Sequence, residues 1–373
     1  MSSLEKNRSK LVALLAKPGS GNNSCADCLD TDPDWASSNL GVFLCTKCAG
    51  FHRNLGSHIS KVKSLRLDNW ESHQVEFMDA NGNMVAKEKF EKNVPLFYRH
   101  PGPNDPDVLR EQWIRAKYDR KEFTGPEPVH YLQGGVKEGY LYKRGKDDHR
   151  FQLRRFFLNE HDYTLRYFVK ENKEPKDVIP IQDMNACFCP LKMSNPNGMQ
   201  ITYLKDGNSR CLYLYSEDGK DIVDWYNAIR AAKMTLNRVA FPGTKDKVLA
   251  RRLVRDFIKE GWLWKTGPSG KESYKQRWFS LDDRRLMYFN QPMDAYPIKD
   301  IFLGTEEEGY KVREGLPPGF REKEQTYGFT LKIPGREFKL CADAHDERQS
   351  WMKVLMQVFQ RPLSPQDNSA RFR

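Results

Sequence analysis

The sequence predicts a multidomain α+β chain. A mainly helical four-cysteine module comes first, followed by two antiparallel β-barrels or sandwiches, each capped by a C-terminal helix. Three observations predict this. Two CxxC pairs lie close together, Cys25/Cys28 and Cys45/Cys48. Residues 136–233 are echoed, in order, by the block after residue 255. Within each copy apolar and polar residues alternate until a helical pattern with one tryptophan closes the unit.

The chain has 373 residues, enough for two or three domains. Its hydrophobic content is 39% and its charged content 30%, both ordinary for globular domains. No apolar run approaches the roughly 18 residues that a membrane span needs. The first residues, MSSLEKNRSKLVALLAKPGS, lack the long apolar core and small-residue cleavage site of a secretory signal. The expectation is a cytoplasmic protein, where thiols stay reduced and a close cysteine set signals a metal more than disulfides. The formal net charge of +11 suits an anionic partner such as nucleic acid, inositol phosphates or an acidic membrane.

Along the chain, residues 4–16 read as an amphipathic helix with Leu4, Leu11, Leu14 and Leu15 on its apolar face, stopped by Pro18-Gly19. After the cysteines and Trp70, residues 71–92 read as helix interrupted near Asn81-Gly82-Asn83. A break at HPGPNDPD precedes another helix, about 107–121, with Leu109, Trp113 and Ala116 on one face. GPEPVHYLQGG (125–135) and FPGTKDK (241–247) read as linkers.

The repeat is specific. EGYLYK (138–143) matches EGWLWK (260–265) at an offset of 122. LRRFFL (153–158) matches KQRWFSL (275–281). LRYF (165–168) matches LMYF (286–289) at 121, and RCLYLY (210–215) matches REFKLC (336–341) at 126, as does Trp225 with Trp351. Units of this size are two copies of a domain rather than solenoid repeats.

A CxxC knuckle lets two thiolates converge on one ion, and two knuckles complete a tetrahedral four-sulfur site. Sixteen residues separate the pairs. Cys25, Cys28, Cys45 and Cys48 are therefore expected to hold one Zn²⁺. With no open position, its role is structural. Cys187, Cys189, Cys211 and Cys341 read as buried small hydrophobes.

The stretch LGVFLCTKCAGFHRNLGSHISKVKSLRLDNW then narrows the reading. It closely resembles the zinc module of Arf GTPase-activating proteins, whose pattern C-x2-C-x16-C-x2-C-x4-R ends here at Arg53. His52, Leu55, Gly56, His58, Ser60, Lys63, Leu67, Asp68 and Trp70 continue the match, as do Pro33 and Trp35 before it. Ala49 and Phe51 replace the commoner Ser and Ile. The resemblance implies that Arg53 is the catalytic arginine finger, inserted beside the nucleotide of a GTP-bound Arf-family GTPase. Such a finger is worth on the order of 10³ to 10⁵ in rate. His52 and His58 are expected to pack or hydrogen-bond, and Trp35 to pack on the module.

Both repeats resemble pleckstrin homology (PH) domains. Phosphoinositide-binding members use a basic residue late in the first strand, K-x-R early in the second, and a tyrosine in the third. By that resemblance the second copy offers Lys265, Lys275, Arg277 and Tyr288, and the first Lys143, Arg154, Tyr167 and Lys176. Gln152 stands where the second copy has Lys275, and no equivalent of Lys176 is apparent near Tyr296. Alternation puts Arg154 with Phe156 and Leu158, although a one-residue slip would exchange Arg154 for Arg155.

The whole order resembles the dual-PH Arf GTPase-activating proteins of the centaurin-alpha type. The expected domains are a zinc module over 5–125, a linker over 126–135, a PH domain over 136–235, a linker over 236–254, a second PH domain over 255–361, and a disordered tail over 362–373. The resemblance implies a GTPase activator with no turnover of its own, acting as a monomer recruited to the plasma membrane. Its ligands would be PIP3-like phosphoinositides and soluble inositol polyphosphates on or near an anionic membrane surface. The rivals are a lipid-regulated adaptor with weak or no GAP activity, which the intact Arg53 argues against, and a nucleic-acid binder. The second fares worse because the basic residues that can be placed fall in head-group patterns.

Overall fold

A computed structural model describes residues 3–363 apart from 171, 268–271, 322 and 325. Most of the expected tail, from 364 on, lies outside the described residues. The chain forms two compact units. One holds residues up to 140 together with 155–168 and 216–253, and the other holds 141–154, 169–215 and the residues from 254.

The first unit opens with helix α1 (Ser3–Leu15), strands β1 (Trp35–Ser37) and β2 (Val42–Leu44), helix α2 (Thr46–Asn54) and strand β3 (Val62–Ser64). Helices α3 (Ser72–Ala80), α4 (Gly82–Phe90) and α5 (Asp107–Ile114) follow, and α5 runs on as a π-helical turn over Arg115–Asp119. The three short strands form an antiparallel sheet with β1 in the middle. The split at 81–82 is the break expected from Asn-Gly-Asn. Leu109, Trp113 and Ala116 are buried, as their shared face requires.

Helix α1 departs from expectation at its start. Leu11 is buried and Leu14 and Leu15 partly so, but Leu4 is exposed. Asn7, one turn before Leu11, takes the buried place because its amide donates to the Trp70 carbonyl at 2.9 Å. A satisfied polar group there outcompetes a leucine that has nothing to pack against. Val129 and Tyr131, in the stretch read as a linker, pack on the module's core, and Tyr131 lies 6.0 Å from both Phe97 and Tyr98.

The first repeat comprises β4 (Val136–Arg144), β5 (Phe151–Asn159), β6 (Thr164–Phe168), β7 (Asp177–Pro180), β8 (Asn185–Phe188), the helical turn α6 (Pro190–Met193), β9 (Met199–Lys205), β10 (Asn208–Tyr215) and α7 (Gly219–Ala240). After the short α8 (Asp246–Ala250), the second has β11 (Lys259–Lys265), β12 (Lys275–Asp282), β13 (Arg285–Phe289), β14 (Lys299–Phe302), β15 (Lys311–Glu314), β16 (Tyr327–Ile333), β17 (Arg336–Ala342) and α9 (His345–Gln360). Among the described residues each repeat has seven strands. Their orders, β7-β6-β5-β4-β10-β9-β8 and β14-β13-β12-β11-β17-β16-β15, are the same sequence of positions. The internal repeat is thus a repeat of topology.

In the second repeat, Leu263, Phe279, Leu281, Phe338 and Leu340 meet Trp351 of α9 in one core. Trp351 and Trp225 are each about 1% exposed, so each closing helix buries the tryptophan that marked it. Helix α7 extends five residues into the stretch expected to be linker. Its last turns pack Met234 against Leu249, Leu253 and Phe97. The four cysteines outside the zinc set are all buried, as expected.

Candidate functional site

The four N-terminal thiols converge. The Sγ atoms of Cys25, Cys28, Cys45 and Cys48 lie within 4.8 Å of one another, and Cys28 and Cys45 are 3.6 Å apart. A tetrahedral ion with bonds of about 2.3 Å to sulfur needs edges of about 3.8 Å, so the donor set fits one zinc ion. Cys45 is also the N-cap of α2, its Sγ accepting from the Cys48 amide at 3.5 Å. The zinc site and the start of α2 are therefore one construction. At the far side Arg110, fully buried, directs Nη1 to the Cys48 sulfur at 3.9 Å and Nη2 to the carbonyls of Pro103 and Asp105. A guanidinium beside four thiolates offsets part of the site's excess negative charge.

Arg53 stands in the last turn of α2, on the exposed side. The helix ends at Leu55, and the turn through Gly56 needs φ +90°, which only glycine adopts without strain. Trp35, on the central strand β1, lies beneath the arginine, with Cζ 4.3 Å from the ring centroid. One face of Trp35 packs on the module's core. The expectation that Trp35 packs on the module holds, and the same ring supports Arg53.

The residue before Arg53 explains what orients this turn. His52 is fully buried, with Nδ1 2.8 Å from Ser60 Oγ and Nε2 3.0 Å from Asp27 Oδ2. Asp27 sits between the first two cysteines and also accepts from Lys117 Nζ at 3.0 Å and the Tyr118 hydroxyl at 3.1 Å. Lys117 in turn reaches Glu91 at 2.8 Å. Burial alone would raise the Asp27 pKa, but Lys117 and His52 hold it well below the usual carboxylate range. Burial likewise opposes the charge on Lys117, and Tyr118, Asp27 and Glu91 more than offset it. The network ties the first knuckle, α2 and the π-helical turn together. His52 hydrogen-bonds within the core, as expected.

The sequence reading missed Asp27, Glu91, Arg110, Lys117 and Tyr118.

In the second repeat the expected head-group residues lie together. Lys265 and Lys275 are directly opposite in the β11–β12 ladder, and Arg277 is opposite Leu263. Lys265 Nζ lies 5.4 Å from the centroid of the Tyr288 ring, which packs on Phe279. Burial first, then the positive charge of Arg336, lowers the Lys265 pKa, with Arg277 and Lys339 adding to the effect. Arg336 and Lys339 were not foreseen.

In the first repeat, Arg154 is on the face of Phe156 and Leu158, both fully buried. Arg155 faces the other way. It pairs with Glu138 at 3.2 Å and stacks over Phe168. Of the two arginines, Arg154 is the one on the face of the buried Phe156 and Leu158. Gln152 does not leave a gap, since its side chain accepts from Arg154 and donates to Asp148. Lys143 has its pKa pushed down to about 8 by burial, then by Arg210 and Arg154. Tyr167 is buried against Phe156, and Lys176 is exposed just before β7.

The chain is similar to known domain families and proteins. The ArfGap family model, "Putative GTPase activating protein for Arf", matches residues 8–127, and the PH domain model matches 135–234 and 257–359. "Arf-GAP with dual PH domain-containing protein 2" of Rattus norvegicus is 46% identical over 368 residues, 98% of this chain and 97% of that protein. The Homo sapiens protein of the same name is 47% identical over 368 residues, 98% of this chain and 96% of its own length. "ADP-ribosylation factor GTPase-activating protein AGD12" of Arabidopsis thaliana is 45% identical over 125 residues, 30% of this chain and 37% of that protein.

Proposed function

This chain belongs to the dual-PH family of Arf GTPase-activating proteins, and from that premise we propose how its residues divide the work. Arg53 is the finger supplied to a GTP-loaded Arf. The two PH domains hold the chain on phosphoinositide-rich membrane, where Arf is bound.

The observation that carries this reading is the exposed Arg53 guanidinium held over Trp35 at the end of the zinc-capped helix. GTP hydrolysis builds charge on the oxygens of the transferring phosphoryl group, and a desolvated guanidinium neutralises it with a planar fork. A side chain already stacked on a rigid ring loses less freedom when it enters the nucleotide site. Zinc, when bound, supplies only the compact turn from which Arg53 projects. Nucleotide and Mg²⁺ belong to Arf, so the chain has no turnover of its own.

Lys143 with Arg154 and Lys265 with Arg277 supply the cationic sites for inositol phosphates, with PIP3-like lipids of the plasma membrane as the preferred class. The other expected residues, Tyr167, Lys176, Lys275 and Tyr288, complete the pockets. A monomer with two such sites gains affinity for a vesicle beyond either site alone, provided both can face one bilayer. The test is vesicle co-sedimentation of wild type, Arg154→Cys, Arg277→Cys and the double variant. Each single variant weakens binding and the double nearly abolishes it. Wild-type binding by the double variant would refute the recruitment half of the proposal.

A further inference from the structure

The two repeats share a basic frame but differ in charge balance. Leu214 lies opposite Lys143 in the first, and Leu340 lies opposite Lys265 in the second. Four residues back on the same strand face stand Arg210 and Arg336. After burial, these are the largest influences on their respective lysines. Each repeat therefore places a third cation beside the pair expected to hold a head group.

Their surroundings diverge. Arg210 Nη1 lies 2.7 Å from Asp177 Oδ2, Lys205 Nζ lies 2.9 Å from Oδ1, and the Tyr203 hydroxyl donates to Oδ2 at 2.6 Å. Asp177 is buried, and it opens β7. The second repeat opens the matching strand, β14, with Lys299. The match is fixed by Ile179 and Ile301, two residues on, which are both buried at the same offset of 122. Arg336 is not held by a carboxylate in the same way. Its Cζ lies 4.5 Å from the Phe338 ring centroid, and its buried Nε, like that of Arg210, has no hydrogen-bond partner among the described residues. A buried guanidinium nitrogen without an acceptor is costly unless an anion completes it, but that holds for both arginines; what differs is the Asp177 carboxylate on Nη1 of Arg210.

We propose that Asp177 is a built-in counter-ion occupying the place of a ligand phosphate in the first repeat, so that Arg336 binds inositol polyphosphate directly while Arg210 is held back. The inference rests on the reading that both repeats take head groups, and it makes the second repeat the tighter site. An arginine, a lysine and a tyrosine hydroxyl converge on Asp177, a donor set that would equally hold a phosphate. A phosphate entering the first repeat must compete with that carboxylate and is repelled by it. In the second repeat the same position carries a positive charge. A phosphoinositide head group and a free inositol polyphosphate present the same clustered phosphates, and the pocket chemistry is common to both.

The experiment uses the full-length, zinc-loaded chain. It is titrated calorimetrically with soluble inositol 1,3,4,5-tetrakisphosphate and, in parallel, sedimented with phosphatidylcholine vesicles containing phosphatidylinositol 3,4,5-trisphosphate. Wild type shows two unequal sites. Asp177→Asn, which keeps the side chain's size, tightens the weaker site about tenfold, the worth of one charge-assisted contact. Arg336→Ala and Lys299→Asp each weaken the tighter site by about tenfold or more on the same basis. Lys299 is exposed, so its variant decides the matter should Asp177→Asn melt early. Tightening in the soluble arm alone identifies the free polyphosphate as the ligand, and tightening in both arms includes the lipid; either supports the counter-ion. Two equal sites in wild type, or an Arg336→Ala variant with an unchanged tight site, overturns it. Arg154→Ala and Arg277→Ala remove the sites one at a time. If neither alters binding, the head-group reading itself has failed. If both do while Asp177→Asn and Lys299→Asp change nothing, only the present inference has.

Discussion

The guanidinium of Arg53 lies over the indole of Trp35, its Cζ 4.3 Å from the ring centroid. Trp35 belongs to the central strand of a three-stranded sheet, and Arg53 to a helix whose N-cap is Cys45, one of the four thiols. The stack therefore joins the sheet to the zinc-capped helix. A cation over an exposed aromatic face is worth about 0.5–1 kcal/mol.

The first prediction concerns that stack. Trp35→Ala should lower the stimulation of Arf GTP hydrolysis several-fold, and Trp35→Phe should retain most of it. The readout is single-turnover GTP hydrolysis by Arf, with melting curves to separate lost packing from lost support. Equal activation by Trp35→Ala and wild type, at equal folded fraction, would show that the ring does not orient the arginine.

Removal of zinc should unfold the N-terminal module and leave the PH domains folded. Structural zinc sites contribute about 10–16 kcal/mol of apparent binding free energy in small modules. Metal analysis should return one zinc per chain, and Cys45→Ser should lose both the ion and the cap on α2. A chain that melts identically with and without chelator contradicts this.

The buried network gives a third prediction. Lys117→Met leaves Asp27 and Glu91 buried without their cation. Breaking one partner of a buried ion pair costs about 3–5 kcal/mol. Urea unfolding of the variant should show a loss of that size in the zinc module. A change within a few tenths of a kcal/mol would mean that the network is not under tension from Lys117.

These residues also mark where the sequence was legible. The cysteine spacing announces its own chemistry, because four thiols at that interval have few other uses. The repeat was visible because aromatic strands and a closing tryptophan recur in order. Lys117, Asp27 and Glu91 were not visible, since a charged residue reads as solvent-facing until its partners are known. Arg210 and Arg336 were aligned by the repeat itself, yet their role depends on which strand face meets Lys143 and Lys265, and only the ladder register supplies that. Leu4 failed as a core residue because periodicity cannot foresee that Asn7 finds the Trp70 carbonyl.

A fourth prediction concerns pH. Lys143, with its pKa pushed down to about 8, is charged below that pH and neutral above it. A phosphate favours the charged form, so head-group binding at the first repeat should fall as pH rises through about 8. Binding there should take up a proton, measurable as a dependence of calorimetric heat on buffer ionisation. For stability the sign is opposite. Between about 8 and the ordinary lysine value the unfolded chain holds the proton that the fold has shed, so the fold gains as pH climbs. The test is an Arg277→Cys chain, in which the first site acts alone. Binding that is flat from pH 7 to 9 would contradict the assignment.

The central claim, that Arg53 is the group supplied to Arf, is tested most directly by one comparison. GTP hydrolysis by Arf on phosphoinositide vesicles is measured with wild type and with Arg53→Lys. Lysine keeps the charge but not the planar fork. The account predicts that Arg53→Lys binds the vesicles and melts like wild type, yet loses most of an acceleration that, for such fingers, is on the order of 10³ to 10⁵. Acceleration by Arg53→Lys equal to that of wild type would contradict it.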